Sequence, residues 1–142
     1  MPERLPDGWT KAELITLAQE LREIAAEHLR RPAPGHLPRW LHGKRYTDLF
    51  VDIAPGGRVA SVELSFGGNW LRITNGRVQT GSTDELAIHH GQPASKAVEP
   101  DPIPSESVLS GAHTIFSNLM DTQLSAMLLS VLSESPEAPS NR

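Results

Sequence analysis

The sequence predicts an α+β fold: an N-terminal amphipathic helix, an antiparallel β-meander of four to five strands, and C-terminal helical segments packed on that sheet. Three observations carry this. Apolar residues recur at helical spacing between Trp9 and Arg31, strict apolar/polar alternation runs from Arg45 to Gly81 through three turn signals, and helical spacing returns after Ser105. With 142 residues the chain can bury a core without covalent staples, so residues 1–134 are expected to form a single domain and 135–142 a loose tail.

The first helix is well specified at its start. Thr10 can cap the amide of Glu13, Glu13 can reach back to the amide of Thr10, and Trp9 can pack on Leu14. Its apolar stripe is Leu14, Leu17, Ala18, Leu21, Ile24, Ala25 and His28, and the stop is expected at Arg31, because Pro32 disfavours a helical residue before it. Residues 32–43 read as an irregular connection, anchored by Trp40 and Leu41.

Turn chemistry then sets the strands. Asn75-Gly76 is the strongest two-residue hairpin signal and pairs Thr74 with Arg77 and Ile73 with Val78. Gly67-Gly68 pairs Phe66 with Asn69, Leu64 with Leu71 and Glu63 with Arg72. For the first turn, a two-residue Pro55-Gly56 loop would set Asp48 against Glu63, two like charges. A four-residue loop, Pro55 to Arg58, is preferred; it pairs Ile53 with Ala60, Val51 with Val62 and Leu49 with Leu64. The apolar face is then Leu49, Val51, Ile53, Ala60, Val62, Leu64, Phe66, Leu71, Ile73 and Val78. A slip of one residue would expose the whole set.

A short fifth strand is expected within 85–90, followed by a proline-rich loop from Pro93 to Pro104. Past Ser105 the apolar phase is broken by Gly111, which leaves one helix or two open; Asp121 is a candidate N-cap for a last helix bearing Leu124, Met127, Leu128 and Val131.

The remaining face of the sheet carries Tyr46, Phe50 and Trp70 among Asp48, Asp52, Glu63 and Arg72. Exposed aromatics of this kind mark contact surfaces. The expected function is therefore a small protein-interaction module, an adaptor or accessory protein. It would bind a protein partner or itself through Tyr46, Phe50, Trp70, Glu63 and Arg72, or through Met127 and Leu128 of the last helix. One alternative is a small-ligand binder or hydrolase using Asp48, Asp52, Glu63 and Arg72, whose spacing on paired strands overlaps that of glycosidase carboxylates. Another is an anion or nucleic-acid binder using Arg30, Arg31, Arg39, Lys44 and Arg45, since 28–47 holds five basic residues and no acidic one. The formal net charge of -4 weighs against nucleic acid, because the rest of the surface would repel phosphates.

No catalytic set, metal site or cofactor motif is predicted. The six histidines (His28, His36, His42, His89, His90 and His113) lack ligand spacing, and the paired glycines lack the helix and lysine of a phosphate loop. The absence of cysteine, of an apolar leader and of any run near 18 apolar residues points to a soluble protein of the cytoplasm, with no membrane association.

Overall fold

The computed structural model describes residues 5–25, 27, 29, 33–82 and 100–134. Along the chain it places α1 (Lys11–Gln19), β1 (Arg22–Glu23), β2 (Leu37–His42), β3 (Asp48–Ile53), β4 (Val59–Phe66), β5 (Asn69–Thr74), β6 (Arg77–Ser82), α2 (Glu106–Ser117) and α3 (Thr122–Glu134). The strands form one antiparallel sheet in sequence order. The α+β class holds, but the sheet has six strands rather than four or five. The two additional ones lie on the N-terminal side, and the strand expected within 85–90 lies outside the described residues, as does the 135–142 tail.

The turns act as their glycines require. Gly67 and Gly68, and Asn75 and Gly76, all take positive φ, which closes two-residue hairpins whose twist matches the strands. Leu49 pairs with Leu64, Val51 with Val62, Glu63 with Arg72, Leu64 with Leu71 and Ile73 with Val78, the register the turns predict. The first turn differs. The Ala54 amide bonds to the Arg58 carbonyl and the Gly57 amide to that of Ala54, so the loop is shorter than expected and the ladder shifts to set Ile53 opposite Val59 instead of Ala60. The bulge absorbs the extra residue; Val59 rather than the expected Ala60 packs against the core, and the rest of the inward set keeps its side.

Leu49, Val51, Val62, Leu64, Phe66, Leu71, Ile73 and Val78 are accordingly buried, together with Leu14 and Leu17 of α1, Ala112, Ile115 and Phe116 of α2, and Leu124 and Leu128 of α3. All three helices contribute to this one core. Gly111 lets α2 approach closely, since a Cβ there would lie 3.0 Å from Phe66 Cζ. The run after Ser105 is two helices: Ser105 caps Val108 and Asp121 caps Leu124, with the break between them tied by a hydrogen bond from Ser125 Oγ to the Phe116 carbonyl.

Two expectations at the N-terminal end are corrected. The capping box of Thr10 and Glu13 forms as predicted, but α1 ends at Gln19, not Arg31. Beyond Leu21, which packs against Gly43, the chain turns extended so that Arg22 and Glu23 pair with His42 and Leu41 of β2. The helical stripe loses to tertiary contacts, because Glu23 accepts two hydrogen bonds of 2.7 Å from the Arg39 guanidinium. Residues 37–42, expected to be irregular, are a full strand despite Pro38. The Trp40 carbonyl accepts from the Ile24 amide, so Pro38, two residues earlier, directs its nitrogen to the same side, past the end of β1, where no ladder bond is lost.

Arg39 also reaches Asp121 at 3.0 Å, which links β1, β2 and the start of α3. The Leu124 amide, followed by Arg39, holds the Asp121 carboxyl below its ordinary range. A depressed carboxylate stabilises the fold above its unfolded pKa, and that contribution disappears as pH falls through the folded value. Asp121→Ala should therefore lower stability by about 1 kcal/mol near neutrality. Denaturant melts of the two proteins should converge between about pH 7 and about pH 2. A gap of constant size across that range would refute the role of the charge.

Candidate functional site

The face of the sheet turned away from the helices is organised as rows that cross the strands. One row runs Trp40, Phe50, Glu63, Arg72 and Gln79; a second runs Pro38, Asp52, Ser61, Thr74 and Arg77; a third runs His42, Asp48, Ser65, Trp70 and Gly81. Register alone therefore sets Phe50 between an aromatic and a carboxylate.

Trp40 and Phe50 stack with ring centroids 5.3 Å apart and planes inclined by 17°. Phe50 is 42% exposed, so the stack is open to solvent. The Trp40 indole is held by its Nε1, which donates to Asp48 Oδ1 at 2.8 Å. His42 Nδ1 lies 2.7 Å from the same oxygen, and His36 Nδ1 lies 2.8 and 3.0 Å from the two oxygens of Asp52. A carboxylate only accepts, so each Nδ1 carries the hydrogen of its bond. Glu63 accepts from Arg72 at 3.0 and 3.2 Å, the cross-strand pair that the Gly67-Gly68 turn predicts. Pro38, Trp40, Phe50, Asp52, Ser61 and Glu63 together border a groove of about 300 Å³. Ser61, the smallest of them, is directly opposite Asp52 and two residues before Glu63.

A larger depression of about 570 Å³ lies beside the start of α2, bordered by Asp7, Asn69, Asp101 and Ser105. Several of its polar groups are already engaged: Thr80 Oγ1 donates to Asp101 and accepts from the Ser105 amide. Among the described residues it has no aromatic wall.

Tyr46 is 40% exposed at the tip of the β2–β3 hairpin. Both Arg45 and Tyr46 sit in left-handed backbone, with φ of 56° and 58°, a conformation that costs a non-glycine residue roughly 1–2 kcal/mol. The turn is held from outside. The Arg45 guanidinium lies 3.7 Å from the centre of the Trp9 ring, its carbonyl accepts from the Gly67 amide, and its side chain is 3.7 Å from Glu13.

The sequence-predicted contact residues divide. Phe50, Glu63 and Arg72 are on the accessible face and Tyr46 is in the β2–β3 turn instead of on the sheet, whereas Trp70 is 1% exposed and Leu128 fully buried, so neither is available to a partner in this state. Gly81, directly across from Trp70, leaves space that the indole fills, and Leu128 is taken up by the core. Met127 beside it is half-buried. Three members of the basic cluster are described, and each is engaged separately. Arg39 is bound to Glu23 and Asp121, Lys44 lies 3.5 Å from Glu20, Arg45 covers Trp9, and Arg30 and Arg31 lie outside the described residues.

Trp40, His36 and His42 were not expected here. The signal was present: residues 36–42 alternate, with His36, Pro38, Trp40 and His42 on one side and Leu37, Arg39 and Leu41 on the other. Among the described residues no group of three or more histidines and acids is placed to hold a metal ion, and no helix is long and apolar enough to cross a membrane. Compared with known proteins, the chain matches no family model, no curated sequence and no solved structure.

Proposed function

We propose that this chain is a protein-interaction module that engages a partner protein through the groove-bearing face of its sheet. The observation that carries the reading is the Trp40–Phe50 stack. A pair of large aromatic rings, one of them nearly half exposed, stands on the side of the sheet opposite the shared core and is pinned in one orientation by Asp48. Rigid aromatics with polar neighbours contribute much contact area at small entropic cost, which is the composition of binding hot spots.

Phe50→Ala tests this directly. The substitution removes an exposed ring and leaves the core untouched, so the melting temperature should stay within a few degrees. A tagged wild-type chain exposed to extract of its native host should retain a partner that the variant loses, with affinity reduced at least about tenfold, the usual consequence of deleting a hot-spot aromatic. Equal retention by both proteins would refute the assignment of this face.

A further inference from the structure

We infer that the partner presents a basic segment and that an arginine side chain of that segment lies in the groove, against Phe50 and between Asp52 and Glu63. This rests on the interaction reading above and specifies the chemistry of the partner.

The first argument is charge. The strand residues of this face on β2, β3 and β4 include Asp48, Asp52 and Glu63 and no lysine or arginine. Leu29 and Arg39 also border the groove, but the Arg39 guanidinium is held by Glu23 and Asp121, and Arg72 on β5 is the adjacent cation. Asp48 and Asp52 take hydrogen bonds from imidazole and indole N–H groups. Such bonds orient a carboxylate for a further donor. Glu63, bound to Arg72 through one oxygen, retains its other. A partner of opposite sign is steered to such a surface and a like-charged one is rejected.

The second argument is shape. Asp52 pairs with Ser61 and Phe50 with Glu63, so the two carboxylates stand on one diagonal of about 7–8 Å, with Phe50 and Ser61 at the other two corners. Phe50, flanked by Trp40, forms the wall on one side. A guanidinium is planar, stacks on aromatic faces and distributes its donors around a fork, so one group can lie on Phe50 while donating toward both acids. A lysine ammonium is more compact and more strongly hydrated, and spans such a gap less well. The carboxylates are already held by imidazole and guanidinium donors, which limits the reorganisation on binding.

The test uses two blocked peptides on the whole chain, Gly-Ala-Arg-Ala-Gly and the same sequence with citrulline, which keeps the shape of arginine and removes its charge. Amide chemical shifts are followed during titration at low salt. The arginine peptide should move residues 39–52 and 61–63 and bind at least about tenfold tighter than the citrulline peptide, with the difference shrinking as salt is added. Asp52→Asn, which keeps shape and loses charge, should reduce the preference. Equal binding of the two peptides, or shifts confined to other residues, would overturn the inference. So would equally tight binding of free arginine amide, because a site for a small free cation gains nothing from flanking chain. A partner that depends on Phe50 while the peptides show no arginine preference would leave the interaction reading standing and remove only the basic segment. If capture does not depend on Phe50, the interaction reading itself fails.

Discussion

Trp70→Ala should lower the unfolding free energy by about 3–5 kcal/mol, the cost of deleting a fully buried large aromatic. Natural domains have only about 5–15 kcal/mol in total, so the variant should be partly unfolded near physiological temperature. The ring lies on the side of the sheet away from the main core, yet it is 1% exposed, with Gly81 across the ladder and the Arg72 guanidinium 5.2 Å from its centre. Among the described residues its Nε1 finds no acceptor. An orphaned buried donor carries a desolvation penalty of about 1–3 kcal/mol, so Trp70→Phe, which loses part of the ring but removes that donor, should be far milder than the alanine substitution. Urea melts of the three proteins decide the matter. Similar losses for alanine and phenylalanine would show that the indole N–H is satisfied and that the packing is specific to tryptophan.

Gly81→Ala is expected to be nearly as damaging, although it adds one methyl group. A Cβ at this position would stand 2.8 Å from Trp70 Nε1 and closer still to the neighbouring ring carbons, and a buried indole cannot swing aside as the end of a flexible chain can. Overpacking of this kind costs about 1–3 kcal/mol, occasionally more. Because the two residues share one space, the effects should not add. In the double variant Gly81→Ala with Trp70→Leu, the clash is gone, and the loss should fall short of the sum of the singles by at least about 0.5 kcal/mol. Additive losses would mean that Gly81 is constrained by something other than the indole.

These two residues also show where reading the letters stops. Glycine turns fixed the direction of the side chains from Leu49 to Val78 except at the bulge by Val59 and Ala60, since hairpin geometry is local and the period of a strand is two. Direction is not exposure. Trp70 points to the polar side as expected, but its burial depends on the missing side chain of a residue eleven positions later. The N-terminal third was harder for the opposite reason. Leu21, Ile24 and Ala25 continue a helical stripe well enough to predict one, and only the long-range pairing of Glu23 with Arg39 and Leu41 makes the extended state preferable. β2 was hidden by its proline, which demotes a strand unless the position of its neighbour is known. Half of the aromatic stack was therefore legible, because Phe50 lies in the glycine-punctuated meander, and Trp40 was not.

The margins of the sheet bear on how anything can meet it. An unpaired strand invites foreign chains to add to it, and the described residues leave little to add to: β1 contributes two residues, Pro38 stands without a hydrogen to offer where β1 stops covering β2, and on the far side the Asp101 amide occupies the Thr80 carbonyl of β6. Recruitment by strand extension, the commonest accident of open sheets, is thereby discouraged. The partner proposed above would then arrive broadside, against the rings.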